Sequence, residues 1–67
     1  MTLEEIKNAV RNGKTVFVGN MGYKVVCHVF KDKSEQWLIA CTSNDYAIGL
    51  TWQDGKTLND KEENFFI

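Results

Sequence analysis

Four segments in which apolar and polar residues alternate, separated by short turn sequences, constrain the fold of this chain most. The segments are residues 14–19, 23–31, 36–42 and 46–52. A period of two is typical of β-strands that bury one face. The turn sequences are Gly19-Asn20-Met21-Gly22, Asp32-Lys33-Ser34-Glu35 and Ser43-Asn44-Asp45. Since short loops join antiparallel neighbours, the pattern predicts a four-stranded antiparallel meander.

The turns also predict how the strands align and which residues share a face. We expect two-residue loops at Asn20-Met21 and Asn44-Asp45 and a loop centred near Ser34. These loops pair Val18 with Tyr23, Val16 with Val25, Val29 with Ile39, Cys27 with Cys41, Ile39 with Leu50, and Trp37 with Trp52. All three alignments then place one apolar set on a single face: Val16, Val18, Tyr23, Val25, Cys27, Val29, Trp37, Ile39, Cys41, Tyr46, Ile48, Leu50 and Trp52. That agreement supports the meander.

A helix over residues 3–12 precedes the strands. Thr2-Leu3-Glu4-Glu5 has the pattern of a capping box, and Gly13 is suited to end the helix. Its apolar stripe, Leu3, Ile6 and Val10, is the available cover for the apolar sheet face. The prediction is one α+β domain over residues 1–67, with the helix packed on a sheet that stays open or curls into a small SH3-like roll.

The second face of this sheet is the main candidate for function. About half of it is apolar, which is unusual for a face that contacts only water. The candidate binding residues on this face are Phe17, Lys24, Val26, His28, Phe30 and Leu38. Three kinds of cover remain open: a second copy of the chain, the chain itself through the tail Phe65-Phe66-Ile67 or through barrel closure, or a different protein. We favour self-association, in which the partner is a second copy of the chain in a homo-oligomer. The other expected partner is a host protein.

Catalysis has little support in the sequence. His28 is the only histidine, and its strand neighbours Val26 and Phe30 are apolar. Cys27 and Cys41 belong to the other face, so no nucleophile and base are paired. The spacings typical of metal sites are absent, and we predict no catalytic residue, no metal and no cofactor.

Charge and hydropathy narrow the classes of partner. The net charge is −1, with six basic and three acidic residues in 1–33 and two basic and six acidic residues in 34–67. This balance argues against strong nucleic-acid binding, which we keep only as a weak alternative. A second alternative is small-molecule or nucleotide sequestration in a pocket formed by Tyr23, Trp37, Tyr46 and Trp52. No run is long enough to cross a membrane and no signal sequence is evident, so we expect a cytoplasmic protein.

Several segments together resemble small uncharacterised proteins encoded by phages and prophages. They are Gly13-Lys14-Thr15-Val16, Gly22-Tyr23-Lys24-Val25, residues 37–42, residues 48–52, residues 54–59, and Asn64-Phe65-Phe66. The resemblance spans almost the whole chain and contains no catalytic signature. It implies an accessory protein in a bacterial host that acts through a host protein or by sequestering a small molecule.

Overall fold

The first element, α1, is capped as the sequence predicts. In the computed structural model, which describes residues 1–67, α1 spans Leu3–Arg11. Thr2 Oγ1 accepts from the Glu5 N–H at 3.2 Å, and Glu5 Oε1 accepts from the Thr2 N–H at 2.8 Å. These two bonds satisfy N–H groups that have no partner within the helix.

Five strands follow the helix, one more than predicted. They are β1 (Phe17–Val18), β2 (Asn20–Val29), β3 (Glu35–Cys41), β4 (Ala47–Gly49) and β5 (Phe65–Phe66). The sheet has the order β4-β3-β2-β1-β5, and every pairing is antiparallel. The predicted α+β class is confirmed. The fifth strand comes from the tail, which pairs with β1 of its own sheet, while the edge strands β4 and β5 do not pair with each other.

The alignment of β1 with β2 agrees with the prediction. Phe17 lies opposite Lys24, and the Val25 N–H donates to the Val16 oxygen at 2.8 Å. Beyond Phe17 the pairing is irregular, since Val18 lies opposite Asn20. The first strand is also shorter than the predicted residues 14–19.

The predicted alignment of β2 with β3 is wrong by four residues. Cys27 lies opposite Trp37 rather than Cys41, and Val25 lies opposite Ile39. The turn occurs earlier than predicted because Lys33 adopts a left-handed conformation, with φ of 70°. That conformation is uncommon for a residue other than glycine, so the turn sequence alone does not indicate it.

The predicted alignment of β3 with β4 is wrong by two residues. Ile39 lies opposite Ile48 rather than Leu50. Asn44 Oδ1 accepts from the Tyr46 N–H at 2.7 Å, and the Cys41 N–H donates to the Tyr46 oxygen at 2.9 Å. These bonds close a four-residue loop in place of the expected two-residue loop. Because both errors are even numbers, each strand keeps its predicted faces.

The core lies between the sheet and the helix. Its eight buried residues are Ile6, Ala9, Val16, Val18, Val25, Ile39, Leu50 and Phe65. Two come from α1 and the others from one sheet face or the segments that continue it, which we call the inner face. The predicted cover by the helix is therefore correct, and the tail adds Phe65 to the same core.

Residues 50–64 cross the remaining part of the inner face and return to β5. Thr51 and Leu58 form an isolated antiparallel bridge, and a 3₁₀ turn at Glu62–Asn64 precedes β5. Between them, Asp54 accepts from the backbone N–H groups of Lys56 and Thr57 at 2.9 and 3.0 Å. These bonds hold the pKa of Asp54 below its usual value.

The C-terminal end of α1 is joined to β3 by charge and aromatic contacts. Arg11 and Glu35 form an ion pair at 3.2 Å. The Arg11 guanidinium and the Lys7 ammonium lie 5.5 and 5.4 Å from the Trp37 ring centre. Both distances suit cation–π attraction. None of the helical segments is long and apolar enough to cross a membrane.

Candidate association surface

The face of the sheet opposite the core, which we call the outer face, brings the predicted binding residues together in cross-strand rows. One row contains Phe66, Phe17, Lys24, Ala40 and Ala47. The next contains Val26, Leu38 and Gly49, and the third contains His28 and Gln36. Five of the six predicted residues therefore share this face, because alternate residues of a strand point to the same side.

The sixth residue, Phe30, lies immediately after β2 at the margin of this face. Its ring centre is 4.7 Å from that of His28, in an edge-to-face arrangement. This contact gives His28 an aromatic neighbour just beyond the end of its strand. Acidic side chains are absent from the three rows, and Lys24 is their only lysine or arginine.

The outer face has no covering layer. None of the eight buried residues belongs to it, although Phe17, Val26 and Leu38 are half-buried by their neighbours within the sheet. The buried residues of helix α1 belong to the inner core. Leu50 and Phe65, which lie at the two ends of the segment that crosses the inner face, belong to the same core. At the three rows, the sheet is thus packed on its inner side only.

Sequence reasoning did not include Phe66 in this surface. Its ring centre lies 5.6 Å from that of Phe17, and it extends the first row to the edge of the sheet. Because Phe65 faces the core, the alternation along β5 places Phe66 on the outer face. The tail sequence Phe65-Phe66-Ile67 is apolar throughout, so it does not indicate which of these residues faces which side. The sequence predicts the tail as one possible cover for the outer face, whereas in the structure the tail extends the sheet as β5.

The structure does not bring the four aromatic residues of the alternative pocket together. Tyr23 lies opposite Cys41, close to Tyr46, whereas Trp37 lies opposite Cys27, four residues further along β2. Trp52 is 63% exposed and lines a separate open hollow with Gln53, Asp54 and Thr57.

One of the four, Tyr23, lines a small cavity on the inner face. This cavity has a volume of about 220 Å³ and lies where Asn59 and Asp60 pass over the sheet. Its apolar wall consists of Val18, Tyr23, Ile39 and Ile48. Ligand sites for drug-sized molecules are generally larger, about 300 Å³ or more.

The residues with reactive side chains are dispersed. Cys27 faces the core side beside Trp37, and His28 faces the outer side, so the thiol and the imidazole point away from each other. Partial burial, together with the nearby Glu35 carboxylate, raises the pKa of the Cys27 thiol. A raised pKa lowers the fraction of reactive thiolate. No group of three or more His, Cys, Asp and Glu side chains is arranged to hold a metal ion.

Comparisons with known proteins add no functional information. No protein-family model matches the chain, and no match is found among curated proteins or solved structures.

Proposed function

We propose that this protein is a non-enzymatic binding protein whose outer sheet face associates with a second copy of itself. The observation that carries the proposal is the uncovered apolar face formed by Phe17, Val26, Leu38 and Phe66. A sheet with two apolar faces is normally packed on both of them. Here one layer covers the inner face only.

The solvent-accessible area of the chain is larger than expected for a monomer of its mass, which supports an exposed interface. The chain exposes 4834 Å², whereas a monomer of 7.7 kDa is expected to expose roughly 4300 Å². The excess of roughly 500 Å² is of the same order as the area that one partner contributes to a small interface.

The size of the face predicts a weak dimer. Across the five strands, which are about 4.8 Å apart, the outer face measures roughly 19 Å. Along the strands, from the first row to Phe30, it measures roughly 20 Å. Two such faces bury less than the roughly 1,600 Å² of a standard interface. We therefore expect an association that depends on concentration.

Solution mass measured across a range of concentrations tests the proposal. Light scattering or sedimentation from about 5 μM to about 1 mM should show a shift from monomer to dimer. Leu38→Lys, at the centre of the face, should abolish the shift because it places a charge in an apolar contact. The matched control is Met21→Lys, which makes the same kind of change at a side chain that is already 70% exposed.

A monomer mass at every concentration would contradict self-association. The same would follow if Leu38→Lys and Met21→Lys changed the dimerisation constant equally. Circular dichroism of both variants shows whether the fold is retained.

A host protein is the alternative occupant of the same face. The resemblance to small phage-encoded proteins favours it, and the bacterial cytoplasm is then the place of action. Binding to a purified candidate host protein should be lost in Leu38→Lys and retained in Met21→Lys.

A further inference from the structure

Strand β2 is much longer than the strand that pairs with it on the β1 side. It spans Asn20–Val29, whereas β1 spans only Phe17–Val18. The chain before β1 leaves the sheet, and the Lys14 N–H donates to Ala9 of the helix at 3.0 Å. The second half of β2 therefore has a neighbour on the β3 side alone.

The hydrogen bonds show which residues of β2 face the open side. The Phe30 N–H donates to the Ser34 oxygen at 2.9 Å, on the β3 side. The Val25 N–H donates to the Val16 oxygen at 2.8 Å, on the β1 side. Because bonding direction alternates along a strand, even-numbered residues of β2 bond towards β3 and odd-numbered residues bond towards β1.

Cys27 and Val29 consequently present their backbone groups to an edge that no strand occupies. Residues 12–16 form no backbone hydrogen bond to either residue, and β1 ends its pairing before them. Each offers one N–H donor and one C=O acceptor. Val29 is 59% exposed, so the end of this edge is accessible, whereas Cys27 is half-buried.

We propose that the edge of β2 at Cys27–Val29 binds an extended acidic peptide segment of another protein by strand addition. The segment lies in line with β1 and exchanges four backbone hydrogen bonds with Cys27 and Val29. This mode gains affinity from main-chain bonds and specificity from the alternate side chains beside them. It uses a different surface from the outer-face dimer and does not depend on it.

The charges around the edge select an acidic segment. Lys14 precedes β1 at one end of the edge, and Lys31 follows β2 at the other. Among the nearby acids, Glu35 is paired with Arg11, whereas Asp32 accepts from Ser34 at 2.6 Å and keeps its charge. Asp32 lies between Lys31 and Lys33 in the sequence, so the charge at this end of the edge is still positive. Acidic residues at the two ends of a bound segment are thus attracted to unpaired lysines.

The same charges disfavour a second copy in this place. Two β2 edges paired about a two-fold axis would bring Lys31 of each copy towards the region of Lys14 in the other. Like charges brought together across an interface oppose association. An acidic partner segment avoids this repulsion.

A pair of substitutions at Val29 tests the proposal. Val29→Pro removes the N–H at the open edge and places the proline ring there, while the bonds of β2 to β3 use other residues. Val29→Thr keeps the N–H and a β-branched side chain. The probe is a fluorescein-labelled synthetic peptide of ten residues, in which valine alternates with threonine and glutamate occupies both ends.

Fluorescence anisotropy should show that the peptide binds the unmodified protein and Val29→Thr with similar affinity. Val29→Pro should weaken binding by about tenfold or more. A peptide with lysine in place of glutamate should bind more weakly, and this preference should decrease with added salt. Absence of binding at about 1 mM protein, or equal binding by Val29→Pro and Val29→Thr, would overturn the proposal.

Amide hydrogen exchange measured by NMR locates the interaction. In dilute protein the Cys27 and Val29 amides should exchange faster than those of Val26 and His28, and the peptide should protect them selectively. Slow exchange of Cys27 and Val29 without peptide would contradict the open edge. Protection that rises with protein concentration alone would assign the edge to a second copy and overturn the choice of partner.

Discussion

The two phenylalanines of the tail should contribute very differently to stability, although they are adjacent. Phe65 is 3% exposed within the core, whereas Phe66 is 37% exposed on the outer face. The perturbation is a pair of single substitutions, Phe65→Ala and Phe66→Ala. Both remove the same atoms from the same short strand, so each serves as the control for the other.

The expected magnitudes follow from burial. Replacing a buried phenylalanine by alanine costs about 3–5 kcal/mol. A 67-residue domain has a total unfolding free energy of roughly 3–10 kcal/mol, so Phe65→Ala should leave a barely stable protein. Phe66→Ala removes a side chain that is 37% exposed, together with its aromatic contact with Phe17, and this loss is worth about 2 kcal/mol.

Urea unfolding followed by tryptophan fluorescence measures both free energies. The measurement should be made at about 1 μM protein, where the weak dimer proposed above is dissociated. Equal losses for the two variants would refute the assignment of Phe65 to the core. A loss for Phe65→Ala that disappears on dilution would mean that the tail covers a second copy rather than its own sheet.

Three further predictions concern the helix junction, the turn at Asp54 and the thiol. Arg11→Ala should lower the unfolding free energy by about 1 kcal/mol, because it removes an exposed ion pair and a contact with Trp37. Urea midpoints measure this loss, and Lys14→Ala is the control because it removes a positive charge that makes neither contact. Asp54→Asn should lower the urea midpoint at pH 7. The pKa of Asp54 is lowered in the folded state, so its stabilising effect is present above the unfolded value and is lost as pH falls through the folded value. The difference in midpoint between the two proteins should therefore decrease as the pH is lowered below the unfolded pKa, and a difference that does not decrease would contradict this account. Cys27 should react with iodoacetamide more slowly than glutathione does at pH 7.5, because its pKa is raised; peptide mass spectrometry gives the rate, and a faster reaction would contradict this account.

The sequence was sufficient for the faces of the sheet but not for its alignments. A shift of the alignment by an even number of residues leaves every side chain on the same face of the sheet, whereas an odd shift moves it to the other face. The two alignment errors were four and two residues, so the predicted faces are correct. The alignments themselves depend on loop geometry. The left-handed Lys33 sets the first of the two turns, and turn propensity does not indicate it. The side-chain bond of Asn44 to the Tyr46 N–H is typical of asparagine in turns, but this preference does not specify whether the loop has two or four residues.

The candidate site was predictable to a similar extent. Phe17, Val26 and Leu38 were placed together because alternation alone assigns them to the outer face. Phe66 was missed because a two-residue strand at the end of a chain has too little periodicity to be recognised. The open edge at Cys27 and Val29 depends on where β1 leaves the sheet, which the alternation in residues 14–19 does not show.

The pairing of β5 with β1 also determines the order in which this domain can assemble. Phe17 and Phe66 are far apart in sequence, whereas β2 and β3 are joined by a short loop. Closing a long loop costs more entropy than closing a short one, so the β2–β3 hairpin is expected in the folding transition state and β5 is expected to dock after it. Substitutions in β5 should then accelerate unfolding and leave the folding rate almost unchanged. The lifetime of the native state should then depend on how readily this last two-residue strand is released.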